Sequence, residues 1–225
     1  MHFDIILFLL GGIVVCMFLA MFALLKTMYS PFIQRFEMVL GGKMKELDKC
    51  KDSYYIEVER NGRRVCLYQI SVEVIRKGKK VHDNFMYLKV CTNSNLSIRF
   101  HDLAGKSHSN TFMEDVIGIS RGVEYKHITF SETDELLKAF QVHTNNEEKA
   151  KAFLSKESVR DILFIFKKIK GVYMMVMPII IEKGNIVLDY RLSEKFLREL
   201  VNNPRSLKKH ISLLFRLSDI LELIG

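Results

Sequence analysis

Chemistry in this chain would have to come from a few scattered side chains. His101, Asp102 and His108 fall within eight residues of one another. Neutral imidazole plus carboxylate is a zinc donor set. Their spacing matches no familiar signature and no fourth ligand is evident, so the plainer reading is a solvated loop, and no metal or other cofactor is expected. Gly105-Lys106-Ser107 has the ending of a phosphate-binding loop. That motif needs a glycine five residues earlier so that backbone amides can wrap the phosphates, and position 100 is Phe100. His82, His127, His143 and His210 stand singly, and read as surface or strand histidines rather than general bases. Glu57 and Glu59 fall on one side of an expected strand, where paired carboxylates usually form a solvated face. No H-E-x-x-H or G-x-G-x-x-G occurs. No catalytic residue is assigned.

Charge supplies the next signal. The chain carries 34 Lys and Arg against 26 Asp and Glu, a formal net charge of +8. Basic clusters lie at Arg63-Arg64, Lys77–Lys80, Lys167–Lys170 and Arg205–Lys209, mostly at turns and helix ends. Anionic lipid and nucleic acid are both chemically suitable partners. Solubilisation explains the clusters equally well.

The elements that would position these groups begin with an uncharged stretch of 21 residues, Ile5 to Leu25. About 20 apolar residues in a helix span the hydrocarbon core of a bilayer. The stretch is therefore expected to be a transmembrane helix. A cleaved signal peptide would want a basic n-region and a shorter apolar core, and Met1-His2-Phe3-Asp4 has no Lys or Arg. Every Lys and Arg follows residue 25. The positive-inside rule then predicts a single-pass cell-membrane protein, N-terminus outside and C-terminal domain cytoplasmic. Cys50, Cys66 and Cys91 are odd in number without C-x-x-C spacing, which suits free thiols in a reducing compartment. Tethering to a membrane favours lipid over nucleic acid as the target of the basic clusters.

The expected organisation is a tail and transmembrane helix over 1–25, a juxtamembrane connector over 26–52, and an α+β domain over 53–225. In the connector, Phe32, Ile33, Phe36 and Leu40 recur at helical spacing, for packing on lipid or on the domain. Residues 53–100 alternate as a four-stranded antiparallel β-meander, with Asn61-Gly62 as a hairpin turn. Residues 101–122 read as a long loop, and His127–Phe130 as a short strand. Ser131-x-x-Asp134 and Thr144-x-x-Glu147 read as capping boxes, on either side of the short strand Phe140–His143. Ser155 would cap a helix carrying Val159, Ile162, Leu163, Phe166 and Ile169. Val172–Glu182 and Ile186–Tyr190 would form a later β-hairpin. Ser193 opens a short helix, and Pro204 opens the last helix. Its stripe is Leu207, Ile211, Leu214, Leu221 and Ile224. Four to five amphipathic helices are expected in all.

This order of elements, with the block Phe140-Gln141-Val142-His143-Thr144 followed by Ala150 and Leu154, resembles a family of bacterial membrane-anchored proteins known only as a domain of unknown function. The resemblance covers roughly residues 52–190 and implies no activity and no functional residue. The expected function is a non-enzymatic interaction or scaffold module at the inner membrane. It would contact the bilayer through 5–25, and a membrane-protein partner or a second copy through 205–224. One alternative is an enzyme with a site near loop 101–122. The other is a peripheral module that binds anionic lipid.

Overall fold

Strand-period alternation dominates the chain after residue 43. The computed structural model describes residues 12, 15–19, 21, 32–48, 52–102, 125–130, 134, 140–167, 179–182, 184–190, 200 and 202–224. Among the described residues there are nine strands: β1 (Met44–Glu46), β2 (Tyr54–Arg60), β3 (Arg63–Arg76), β4 (Lys79–Cys91), β5 (Ile98–Asp102), β6 (Lys126–Ile128), β7 (Phe140–Thr144), β8 (Ile179–Glu182) and β9 (Asn185–Asp189). They form one sheet in the order β1-β2-β3-β4-β9-β8-β5-β7-β6. Every pairing is antiparallel. A 3-10 turn (Phe32–Phe36) runs into the short helix α1 (Glu37–Leu40), and longer helices follow at α2 (Glu147–Leu154), α3 (Glu157–Lys167) and α4 (Pro204–Ile224).

Two hairpins are set by local sequence. Asn61 and Gly62 take φ of 51° and 70°, and Lys77 and Gly78 take 51° and 75°. Positive φ at both central residues matches the right-handed twist of the flanking strands, so each loop closes in two residues.

One face of the sheet packs against the helices. Ile56, Val65, Leu67, Leu88, Val90, Ile98, Val142, Ile181 and Ile186 meet Phe153, Leu163 and Phe166, and also Leu207, Ile211, Leu214, Leu217 and Leu221 of α4, in one core. The α4 stripe is thus buried against its own sheet. Ile33, Phe36 and Leu40 of the connector are also fully buried there. The Arg60 guanidinium donates to the carbonyls of Val39 and Leu40 at 3.0 and 2.8 Å, which caps α1. The opposite face carries a smaller apolar cluster of Cys66, Tyr68, Ile70, Tyr87 and Val187.

The structure corrects the expected membrane architecture. Among the described residues no helix is long and apolar enough to cross a membrane. Within Ile5–Leu25, Gly12, Val15–Leu19 and Met21 are described, and the rest lies outside the described residues. Helix α4 has 21 residues, but Arg205, Lys208, Lys209, Arg216, Asp219 and Glu222 interrupt it, and charges at that density are incompatible with a lipid-facing span. The transmembrane helix, the single-pass cell-membrane placement and the cytoplasmic assignment of the body fall together.

Two local expectations change as well. Strand β5 does not continue the meander, because hairpin β8–β9 inserts between β4 and β5. The chain after β4 wraps the hairpin's turn instead: Thr92 N–H donates to the Gly184 carbonyl, and Gly184 N–H to that of Ser94, both at 2.8 Å. Helix α2 is capped by Asn146, whose side chain accepts from Lys149 N–H. Thr144 remains in β7 and donates to the Ser97 carbonyl at 2.7 Å.

Candidate functional site

A buried polar cluster lies on the face away from the helices, at the β8-β5-β7-β6 end. Glu182 closes β8 and is fully buried. Arg99 of β5 donates through Nε to its carboxylate at 2.9 Å. The Tyr125 hydroxyl, just before β6, donates to the same carboxylate at 2.5 Å. The Arg99 guanidinium also lies 4.8 Å from the Tyr125 ring centre. Burial, and then the carboxylate beside it, push the Tyr125 hydroxyl well above its ordinary pKa. That phenol keeps its proton at neutral pH and serves as a donor. Both carboxylate oxygens and the cation are committed to each other, an arrangement that braces β8 against β5 rather than holding a base ready.

Next to this brace, strand register sets Arg99 opposite His143, and His143 opposite His127. The two imidazole centres are 5.3 Å apart. Burial, and then the neighbouring His127, lower the pKa of His143, so its ring is neutral at physiological pH. Farther along the same face Cys66 donates to Glu57 at 3.5 Å. Burial pushes its thiol up to about 11, which leaves it protonated and a poor nucleophile.

A different arrangement occurs where β3 and β4 outrun the sheet. The β2–β3 pairs end at Tyr54↔Gln69, and the β4–β9 pairs begin at Tyr87↔Asp189. From Val72↔Asp83 to Arg76↔Lys79 the two strands pair only with each other among the described residues. Five residue pairs make a ribbon of about 17 Å. Its tip, Arg76-Lys77-Gly78-Lys79-Lys80, holds four cations and no acid. Lys77, Lys79 and Lys80 are exposed. Ile75 beside them is 73% exposed.

Two further polar contacts are structural. The Tyr190 hydroxyl lies 2.7 Å from His210 Nδ1, inside the core, and burial lowers the pKa of His210 to about 4. Glu222 of α4 accepts from Arg63 at 2.8 Å, Thr92 Oγ1 at 3.0 Å and Asn93 N–H at 3.1 Å. The Arg63 hydrogen bond is the main cause of its pKa falling to about 2. A neighbouring cleft is lined by Asn93, Asn95, Asn145, Asn146, Lys149 and Glu222. Its amides are largely engaged: Asn145 accepts from Ser97 N–H and donates to the Asn95 carbonyl.

Of the three residues singled out for metal binding, two lie within the described residues. His101 and Asp102 belong to β5, in register with Gln141 and Phe140, rather than to a loop. His108 and Gly105-Lys106-Ser107 lie outside the described residues. Among the described residues no group of three or more His, Cys, Asp or Glu could hold a metal ion. Sequence reading passed over Arg99, Tyr125 and Glu182. Glu182 lies 57 residues from Tyr125 and 83 from Arg99, and such contacts leave no local spacing to detect. A glutamate ending an apolar strand was the one available sign.

The chain matches no protein-family model, no curated protein and no solved structure.

Proposed function

We propose that this chain is a non-enzymatic interaction module that engages an acidic partner through the β3–β4 ribbon. The ribbon carries the reading: a self-paired arm beyond the sheet, with four cations at its tip and none of the sheet's buried polar groups involved. The formal charge of +8 works in the same direction, because it steers an anionic surface towards the molecule. Duplex nucleic acid is a dimensionally suitable partner, since a major groove about 12 Å wide admits a two-stranded ribbon. Loss of the membrane span removes the reason to prefer lipid.

The test titrates the full chain with labelled duplex DNA, and separately with polyglutamate, at increasing salt. The expected result is binding to one of them that weakens linearly in log–log form with salt. The triple variant Lys77→Glu/Lys79→Glu/Lys80→Glu should lose tenfold or more. A Lys208→Glu/Lys209→Glu control on α4 should bind like wild type. Equal binding by the ribbon variant and wild type would reject the assignment, as would wild type ignoring both polyanions at low salt.

A further inference from the structure

We propose that His127 and His143 form a two-imidazole site for a divalent transition-metal ion at the edge of the sheet. The two residues are directly paired across β6 and β7. Antiparallel partners on one face have Cβ atoms about 5 Å apart, which fixes both imidazoles from rigid backbone rather than from loops.

The ring spacing is compatible with a shared metal ion. A zinc–nitrogen bond is about 2.0–2.1 Å, and the ring centre lies about 1.2 Å behind the nitrogen. Two imidazoles on one tetrahedral ion therefore have centres about 5.2 Å apart. The observed separation is 5.3 Å. Packed rings also occur at centre distances of about 4.5–7 Å, so the site rests on the cross-strand pairing of the two histidines, with which the ring spacing agrees.

The surroundings suit a cation. His127 is exposed and lies on the outermost strand, so water can fill the remaining coordination positions. Arg99, the cation opposite His143, is already neutralised by Glu182. Neutral imidazole is the form that binds metal, and burial favours that form at His143. With two nitrogen ligands, affinity should follow the usual order, copper(II) tightest, zinc(II) and nickel(II) weaker, manganese(II) weakest. Closure of the site would clip the three-residue strand β6 onto β7.

The experiment uses the full chain, first stripped with chelator. Zinc is titrated while two-dimensional NMR follows the ring nitrogens of all seven histidines, and calorimetry follows stoichiometry. The expected result is that the His127 and His143 rings shift together and saturate at one zinc per chain. His127→Ala and His143→Ala should each weaken that binding at least tenfold. His127→Gln, closer in size to histidine, should behave like His127→Ala if ligation is what is lost. Zinc uptake with these two rings unmoved would overturn the proposal, because the metal would then sit on thiols or other histidines. Undiminished affinity in either His127 variant would do the same. The ring shifts in the unaltered chain decide the matter even where a variant fails to fold.

Discussion

Glu182 and Glu73 each sit beside a cation at almost the same distance, 2.9 Å from Arg99 and 2.8 Å from Lys80. Their surroundings differ completely. The Glu182 side chain is 0% exposed and that of Arg99 16%, while Glu73 and Lys80 are 46% and 72% exposed. Equal geometry does not mean equal energy. In the interior, removal of one partner strands a charge in a medium that cannot solvate it. On the ribbon, water and salt replace the lost partner at almost no cost. The sheet end thus uses charge for position, and the ribbon keeps its charge available to something else.

The largest effect expected from this contrast is at Arg99. Arg99→Met leaves Glu182 buried with only the Tyr125 hydroxyl, and should cost about 3–5 kcal/mol of unfolding free energy, measured by denaturant titration. The double variant Arg99→Met/Glu182→Leu should lose less than the single, because an apolar pair of similar size removes the stranded charge. A single variant within about 1 kcal/mol of wild type would show that water reaches Glu182, and the contrast with Glu73 would collapse.

His210 extends the comparison to a neutral buried group. Its folded pKa of about 4 lies below its ordinary 6.5. The unfolded chain therefore takes up the proton first as pH falls. The His210 contribution is complete above pH 6.5, erodes as pH drops, and is lost near pH 4. A shift of this size corresponds to about 3 kcal/mol. Urea unfolding of wild type and His210→Phe between pH 7 and pH 4 isolates it. Carboxylates that titrate in acid are common to both proteins, so the gap between them should move by about that amount over the window. A constant gap would mean that His210 is solvated when folded.

Parts of this architecture are legible in the residues themselves. Asn61-Gly62 must take positive φ, and does so. Val159, Ile162, Leu163 and Phe166 repeat at helical spacing and are all buried. The α4 stripe is equally plain, but spacing cannot say whether the helix packs on its own sheet, on a second copy or on lipid, since each wants the same apolar face. The insertion of β8–β9 between β4 and β5 is likewise hidden. It depends on which sheet edge accepts the hairpin, and the Thr92, Ser94 and Gly184 backbone contacts that settle this involve no special side chain. The Glu182 brace was illegible for the same reason, being assembled from β8, β5 and the residue before β6, which only the completed sheet brings together. The Arg76–Lys80 tip was visible as a basic run, while its projection beyond the sheet follows from where β2 and β9 stop.

The smallest effect expected is at the ribbon, and it is the sharpest check on the division of labour. Glu73→Gln and Lys80→Ala should each change unfolding free energy by less than about 0.5 kcal/mol, because an exposed ion pair in water contributes little. Lys80→Ala should nonetheless weaken binding to an acidic partner and flatten its salt dependence, since each cation removed from the contact releases about one fewer counterion. Stability and binding would then respond to different residues. A ribbon variant that destabilises the fold by 2 kcal/mol or more would show that the arm packs on the body. Its cations would then be structural like Arg99, and the proposed docking role would lose its physical basis.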